Sequence, residues 1–211
     1  MQLKIYVPKH PLIEHLANLM QSLDIPFNLV KSSAIELTYW LCYEAFREWI
    51  SLSDAELRSI DGRYTTRLIN PEDTLLALTF VKSGILMSES VNKFCCNTRF
   101  FYVNFKIQES SDEIICEDKL LLDNINSYSK FLILDSIVLS SDRILAILSF
   151  MVNKGIDLSA VRIVCLLCTS EVLQDIGSAY PNLIIYTSCV KNIDDSLDLQ
   201  PYRDLLERLQ T

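Results

Sequence analysis

Asp135, Ser140, Ser141 and Asp142 are the residues of this chain best spaced for phosphate chemistry. Asp135 closes the apolar run Phe131–Leu134, which reads as a buried strand of a parallel sheet. Five residues on, Ser140, Ser141 and Asp142 offer helix N-cap chemistry, and Ile144, Leu145, Ile147, Leu148 and Met151 then recur at helical spacing. A strand ending in an acid, a short loop and a helix start is where α/β proteins hold phosphate, because free amides and the helix dipole attract anions. The position suits a phosphate-ribose site, but the loop residues oppose it. A phosphate nest closes most easily around residues without side chains, and the whole chain has only 4 glycines. Asp142 brings a carboxylate to the helix start, where it is expected to cap the free N–H groups itself. At ~4 Å and an effective dielectric of ~20 it repels a second negative charge by about 4 kcal/mol.

The elements around this stretch alternate. Ile5–Val7 is extended. A first helix starts at His10-Pro11, with Leu12, Ile13, Leu16, Leu19, Met20 and Leu23 on its apolar face. A second runs from about Phe27 or Asn28 to Ile50, and Ser51–Asn70 reads as loops and short strands ending in Leu68-Ile69. Thr74–Phe80 is a strand, Gly84–Val91 a helix and Arg99–Ile107 a strand. Gln108–Glu113 is a polar turn, and Ile114–Cys116 with Leu120–Leu122 reads as a hairpin excursion. Val161–Cys168, Ser170–Ala179, Leu183–Thr187 and Pro201–Leu209 follow as strand, helix, strand and helix. Alternation of this kind predicts a doubly wound, mainly parallel sheet. Residues 1–50 form an N-terminal helical arm, 68–190 the α/β core and 191–211 a C-terminal segment of a single 211-residue domain.

Bulk composition narrows the partners. A net charge of −8 leaves no basic excess for nucleic acid or an anionic membrane. No apolar run approaches the ~18 residues of a membrane span, and no apolar leader region opens the chain. There are 7 cysteines. Cys95 and Cys96 are adjacent, while Cys165 and Cys168 share a strand on which residues three apart point to opposite faces, so the pair is not expected to chelate a metal. Buried structural thiols predict a reducing compartment. Richness in Ile, Leu, Ser and Asn with little Gly suggests an AT-biased genome and so a plastid stroma as well as cytoplasm. His10 and His15 are the only histidines, and no Walker loop, H-E-x-x-H or G-x-G-x-x-G occurs.

The segments HPLIEHLANLM, CYEAFREW, the central strand-loop-helix, VRIVCLLC, SEVLQDIGSAYPNLIIYT and the closing ERLQT together resemble uracil phosphoribosyltransferase. The resemblance implies a type I phosphoribosyltransferase fold. It also implies attack of uracil on the anomeric carbon of phosphoribosyl pyrophosphate (PRPP) with Mg²⁺ assistance, and a dimer or tetramer. Three loops depart from the family pattern. The ribose-phosphate loop, D-P-M-L-A-T-G-G-S in the family, keeps Asp135 for the ribose hydroxyls. Ser140 can imitate the family's threonine, but Ser141 and Asp142 replace both glycines, and Arg143 stands at the family's serine. In the pyrophosphate loop, Lys82 replaces an arginine, losing its bidentate fork, and Leu86 replaces a glycine while Gly84 stays. In the uracil loop, Asp204 and Arg208 match, yet Pro201, Arg203 and Leu206 replace the glycines and the segment has become helical. A regular helix hides the backbone groups that would read the base.

The resulting expectation is a catalytically inactive member of that fold, serving as a binding, assembly or structural module. Asp135, Asp204 and Arg208 would be relics, with no cofactor and no metal. Weak or altered enzyme activity is the alternative, with PRPP and Mg²⁺ held through Asp135, Ser140, Ser141, Lys82 and Gly84. A nucleotide-sensing regulator is a third. Self-association or a second subunit is expected through Tyr39, Trp40, Tyr43, Phe46 and Trp49, which crowd more than one face of the second helix.

Overall fold

The computed structural model describes residues 2–81, 83–93, 98–103, 128–192 and 199–210, with the backbone alone of 105–107 and 114–116. Lys82, Cys95, Cys96 and the expected strand at 120–122 lie outside the described residues. Six strands form one all-parallel sheet in the order β1-β10-β9-β8-β4-β5. They are β1 (Lys4–Tyr6), β4 (Leu75–Phe80), β5 (Thr98–Val103), β8 (Lys130–Val138), β9 (Val161–Thr169) and β10 (Ile184–Lys191). Every described residue of β4 and β9 is buried, as continuous apolar runs in a doubly covered sheet require.

Helices cover both faces. On one lie α1 (Pro11–Gln21), α2 (Phe27–Phe46), α3 (Ile85–Val91) and α6 (Gln200–Gln210), contributing Met20, Leu37, Met87 and Leu205 to a core with Leu132 and Val164. On the other lie α4 (Asp142–Asn153) and α5 (Ser170–Ala179), whose Ile144, Leu148, Val172 and Ile176 pack with Ile133 and Ile163. The doubly wound, mainly parallel architecture expected from the sequence is the one observed. The arm is part of it. Arg162, 8% exposed, donates from β9 to the Ala45 carbonyl at the end of α2 and lies under the Trp49 ring, 4.8 Å from its centroid. A cation at a helix C-terminus complements the dipole.

The details depart from expectation in four places. Residues expected as loops and short strands form a continuous two-stranded ribbon, β2 (Leu52–Ser59) with β3 (Gly62–Ile69), turning at Gly62 with φ of +123°, where a side chain would be strained. Its base is tied down: the amide and hydroxyl of Ser51 donate to Asp73 at 2.8 and 2.7 Å, and Asp73 pairs with Lys130. One face carries the pairs Ser53–Leu68, Ala55–Thr66 and Leu57–Tyr64, the other Asp54–Arg67, Glu56–Thr65 and Arg58–Arg63. Second, the expected strand Arg99–Ile107 is two, because β6 (Phe105–Ile107) leaves the sheet to pair antiparallel with β7 (Ile114–Cys116). Third, β8 does not stop at Asp135 but runs on to Val138.

The fourth concerns the cysteines. Side chains alternate along β9 until Leu166 and Leu167, which both face the α1–α2 layer, and Cys165 and Cys168 consequently share the α4–α5 layer. The opposite-face expectation fails because alternation slips there, and the same slip occurs on β8, where Leu134 and Ile137 share a layer. At the slip the Leu166 carbonyl is taken by hydroxyls, Ser188 at 2.6 Å and Thr187 at 3.4 Å. The hydrogen bond to Cys168, with burial, holds Cys165 well above the usual thiol range, so it stays neutral. Among the described residues no group of three or more metal-ligating side chains occurs. Nor is any described helix long and apolar enough to cross a membrane.

Candidate functional site

The strand-loop-helix around Asp135 sits mid-sheet, between β4 and β9. Asp135 has 0% exposure, so it lies inside β8 rather than at its mouth. Its Oδ2 accepts from Arg143 Nη2 at 3.2 Å, and Oδ1 has no partner of hydrogen-bond geometry. Burial pushes its carboxyl up to about 6, although Arg143, Ser83 and the Ser136 amide all favour the charged form. Arg143 comes from the first turn of α4 and turns inward. Its Nη1 is 3.4 Å from Ser83 Oγ, and its guanidinium lies over the Phe80 ring, 5.0 Å from the centroid. The sequence marked position 143 as altered but not where the arginine would point. The nearby buried acid was the available signal, because a carboxylate inside a strand needs a partner.

The loop hydroxyls are committed elsewhere. Ser140 Oγ donates to Asp142 Oδ2 at 2.6 Å and accepts from the Asp142 amide at 3.3 Å. Ser141 Oγ donates to Asp175 of α5 at 2.8 Å. No side chain caps the start of α4. The expected self-cap by Asp142 is therefore replaced by its bond to Ser140. Asp142 and Asp175 thus hold the loop hydroxyls, and their carboxylates beside the start of α4 oppose an anion there.

The neighbouring loop is joined to the same place. The Ser136 amide donates to the Ser83 carbonyl at 3.1 Å, and the Gly84 amide to Phe80 at 2.8 Å. A methyl group on Gly84 would meet the Leu134 carbonyl oxygen at 2.5 Å and Thr79 Cγ2 at 2.9 Å. Packing against β8 therefore requires this glycine, whatever it once offered an anion. Asp204 and Arg208 are both on α6, a regular helix. Asp204 is exposed and accepts from Gln200 at 2.7 Å, while Leu205 and Leu209 dock the helix on the core. Buried and paired with Arg143, Asp135 is not presented to a ribose or a magnesium ion. The described residues, which do not include Lys82, do not fit a magnesium–PRPP complex.

Of the five aromatic residues expected on the second helix, Trp49 lies beyond its end at Phe46, and four of the five are buried or partly buried. Phe46 is buried and stacks on Trp49 at 6.0 Å; Trp40 stacks on His10 at 6.3 Å and meets Tyr39 and Tyr43 edge-on. Tyr43, at 47%, is the exposed one of the five.

Comparison with known proteins gives this geometry its ancestry. The sequence model described as uracil phosphoribosyltransferase matches residues 7–202. The chain belongs to the uracil phosphoribosyltransferase family. A uracil phosphoribosyltransferase of Synechococcus elongatus is 29% identical over 189 residues, spanning 90% of this chain and 87% of that one. A uracil phosphoribosyltransferase homolog of Pyropia yezoensis is 29% identical over 195 residues, 92% of each chain. Among solved structures, a protein of Aquifex aeolicus aligns with a TM-score of 0.74 at 20% identity, covering 91% of this chain and 89% of its own. An adenine phosphoribosyltransferase of Trypanosoma brucei aligns at 0.53 and 13% identity, covering 92% and 88%. These structures establish the type I phosphoribosyltransferase fold.

Proposed function

We propose that this chain is a catalytically silent member of the uracil phosphoribosyltransferase family, acting as a binding, assembly or structural module within a protein complex. One observation carries the reading: the acid aligned with the family's ribose ligand is sealed inside β8 and paired with Arg143, an arginine that the family pattern lacks. Ser140 and Ser141 support it, since both spend their hydroxyls on carboxylates. The ribbon β2–β3 supplies a surface for assembly. Leu57, Tyr64 and Leu68 lie on one face of it, at least 36% exposed, and a two-stranded ribbon alone is only marginally stable in water. Tyr43 on α2 offers a second exposed aromatic contact. The home is a reducing compartment, cytoplasm or plastid stroma; a relative in Arabidopsis thaliana, 20% identical over 186 residues, is chloroplastic.

Incubation with uracil, PRPP and Mg²⁺ is expected to yield no UMP. Turnover near ~1 s⁻¹, the low end of ordinary enzymes, would overturn the proposal. Weak or altered phosphoribosyl transfer is the second reading, favoured by Asp135, Ser83 and Arg143 converging at the site. Light scattering at micromolar concentration tests the assembly part. We expect a mass above the monomer, lowered by Leu57→Ser with Tyr64→Ser; a strict monomer with no captured subunit counts against it.

A further inference from the structure

A second concavity lies away from Asp135, at the β1–β10 edge of the sheet. It is a cavity of about 540 Å³ between the first turns of α1, the turn that follows β1 and the end of β10. That volume falls within the ~300–1,000 Å³ of ordinary small-molecule sites. Its floor is apolar, with Ile13 and Ala17 buried. Among the described residues its rim carries Lys9, His10 and Lys191 against one carboxylate, Glu14. In a chain of net charge −8 these described lining residues carry more lysine than carboxylate.

The imidazole is held in place. His10 Nδ1 accepts the Leu12 amide at 3.2 Å, which leaves Nε2 to bear the proton, and the ring stacks on Trp40 at 6.3 Å, 14° from parallel. A fixed N–H donor, two ammonium groups and an apolar floor match a ligand with a compact anionic end and a flat or apolar body. Lysine ammonium groups act as point charges suited to phosphate. We propose that this cavity binds a small phosphate monoester carrying an apolar or aromatic group, with Lys9, Lys191 and His10 on the phosphate and the ring against Ile13 and Ala17. The site is separate from the Asp135 cluster, so the turnover assay does not decide it.

The test is calorimetric titration of the full chain with phenyl phosphate. We expect saturable binding, at least tenfold weaker for inorganic phosphate and for phenol, which each supply half of the match. Lys9→Glu with Lys191→Glu is expected to weaken phenyl phosphate at least tenfold, while Arg143→Gln leaves it unchanged. Cys189, half-buried in the cavity wall, gives a readout on the unaltered protein: alkylation by iodoacetamide should slow when phenyl phosphate is present. No saturable binding overturns the proposal. So does binding indifferent to the lysine reversals, or binding lost in an Arg143→Gln variant whose circular dichroism shows it folded, which would place the phosphate at α4.

Discussion

Strand β8 carries one acid–base pair at its start and another near its middle, and the two behave oppositely. At its start Lys130 meets Asp73, a carboxylate that also takes two hydrogen bonds from Ser51. Burial acts to raise the Asp73 carboxyl, but the bonds from Lys130 and Ser51 outweigh it and the net shift is downward. Five residues into the strand, Asp135 meets Arg143, and there burial wins and the carboxyl rises to about 6. Two pairs of the same charge type thus differ in which effect dominates. The first is a partly buried clamp with enough donors to stabilise an anion. The second is a fully buried acid with a single arginine for its countercharge.

The sharpest way to break this comparison is Arg143→Met. It leaves Asp135 buried with no countercharge, and at pH 7 we expect a loss of about 4 kcal/mol in urea unfolding. The loss should shrink at pH 5, where Asp135 is already protonated in the folded chain, and Asp135→Asn should restore most of it. An equal loss at both pH values would show that the arginine matters for its packing on Phe80 rather than for its charge.

A pH series on the unaltered chain separates the two acids by sign. The folded carboxyl of Asp135, at about 6, lies above its unfolded value near 3.9, so between those values the folded state keeps a proton that the unfolded state has released. Stability from this group therefore falls as pH rises from 4 to 6, by about 3 kcal/mol, and is flat above. Asp135→Asn should abolish that slope. Asp73, depressed, contributes stability that is present above pH 4 and lost on acidification below it. A profile with no slope between pH 4 and 6 would mean that Asp135 is as well solvated as Asp73.

The smallest effect concerns why Gly84 persists beside the altered loops. If packing under the Leu134 carbonyl holds it, Gly84→Ala should cost about 2 kcal/mol through backbone displacement, with no dependence on added phosphate. A neutral substitution would return the glycine to the loop's former chemistry.

Much of the fold was legible because the core strands are unbroken apolar runs and the helices have one-sided stripes. Leu75–Phe80 and Val161–Thr169 admit no other reading once their lengths are fixed. The site was harder. Asp135-Ser136 reads as a strand terminator, and only Arg143, folded back from the next element, lets the strand continue through it. The direction of a side chain eight residues away has no periodic signature. The slip at Leu166-Leu167 is equally silent, since both residues are apolar wherever they point. The ribbon Leu52–Ile69 was legible in part: Asp61-Gly62 is a hairpin signal, but flanking charges masked the alternation.

The edge strand β1 has a consequence for how the chain is made. Lys4–Tyr6 pairs with Ile184–Tyr186, and Tyr6 stacks on Tyr186 at 4.9 Å. β1 and β10 lie far apart along the chain, so β1 stays unpaired until β10 has been made. Its neighbours can order early, because α1 and α2 pack on each other and β4, β8 and β9 follow in chain order. Closing the β1–β10 edge is then a late registration step, and a nascent chain stalled before Ile184 would present an ordered partial sheet with the β1 segment as an unpaired tail. That tail, rather than the buried core, is where a chaperone or a protease would first take hold.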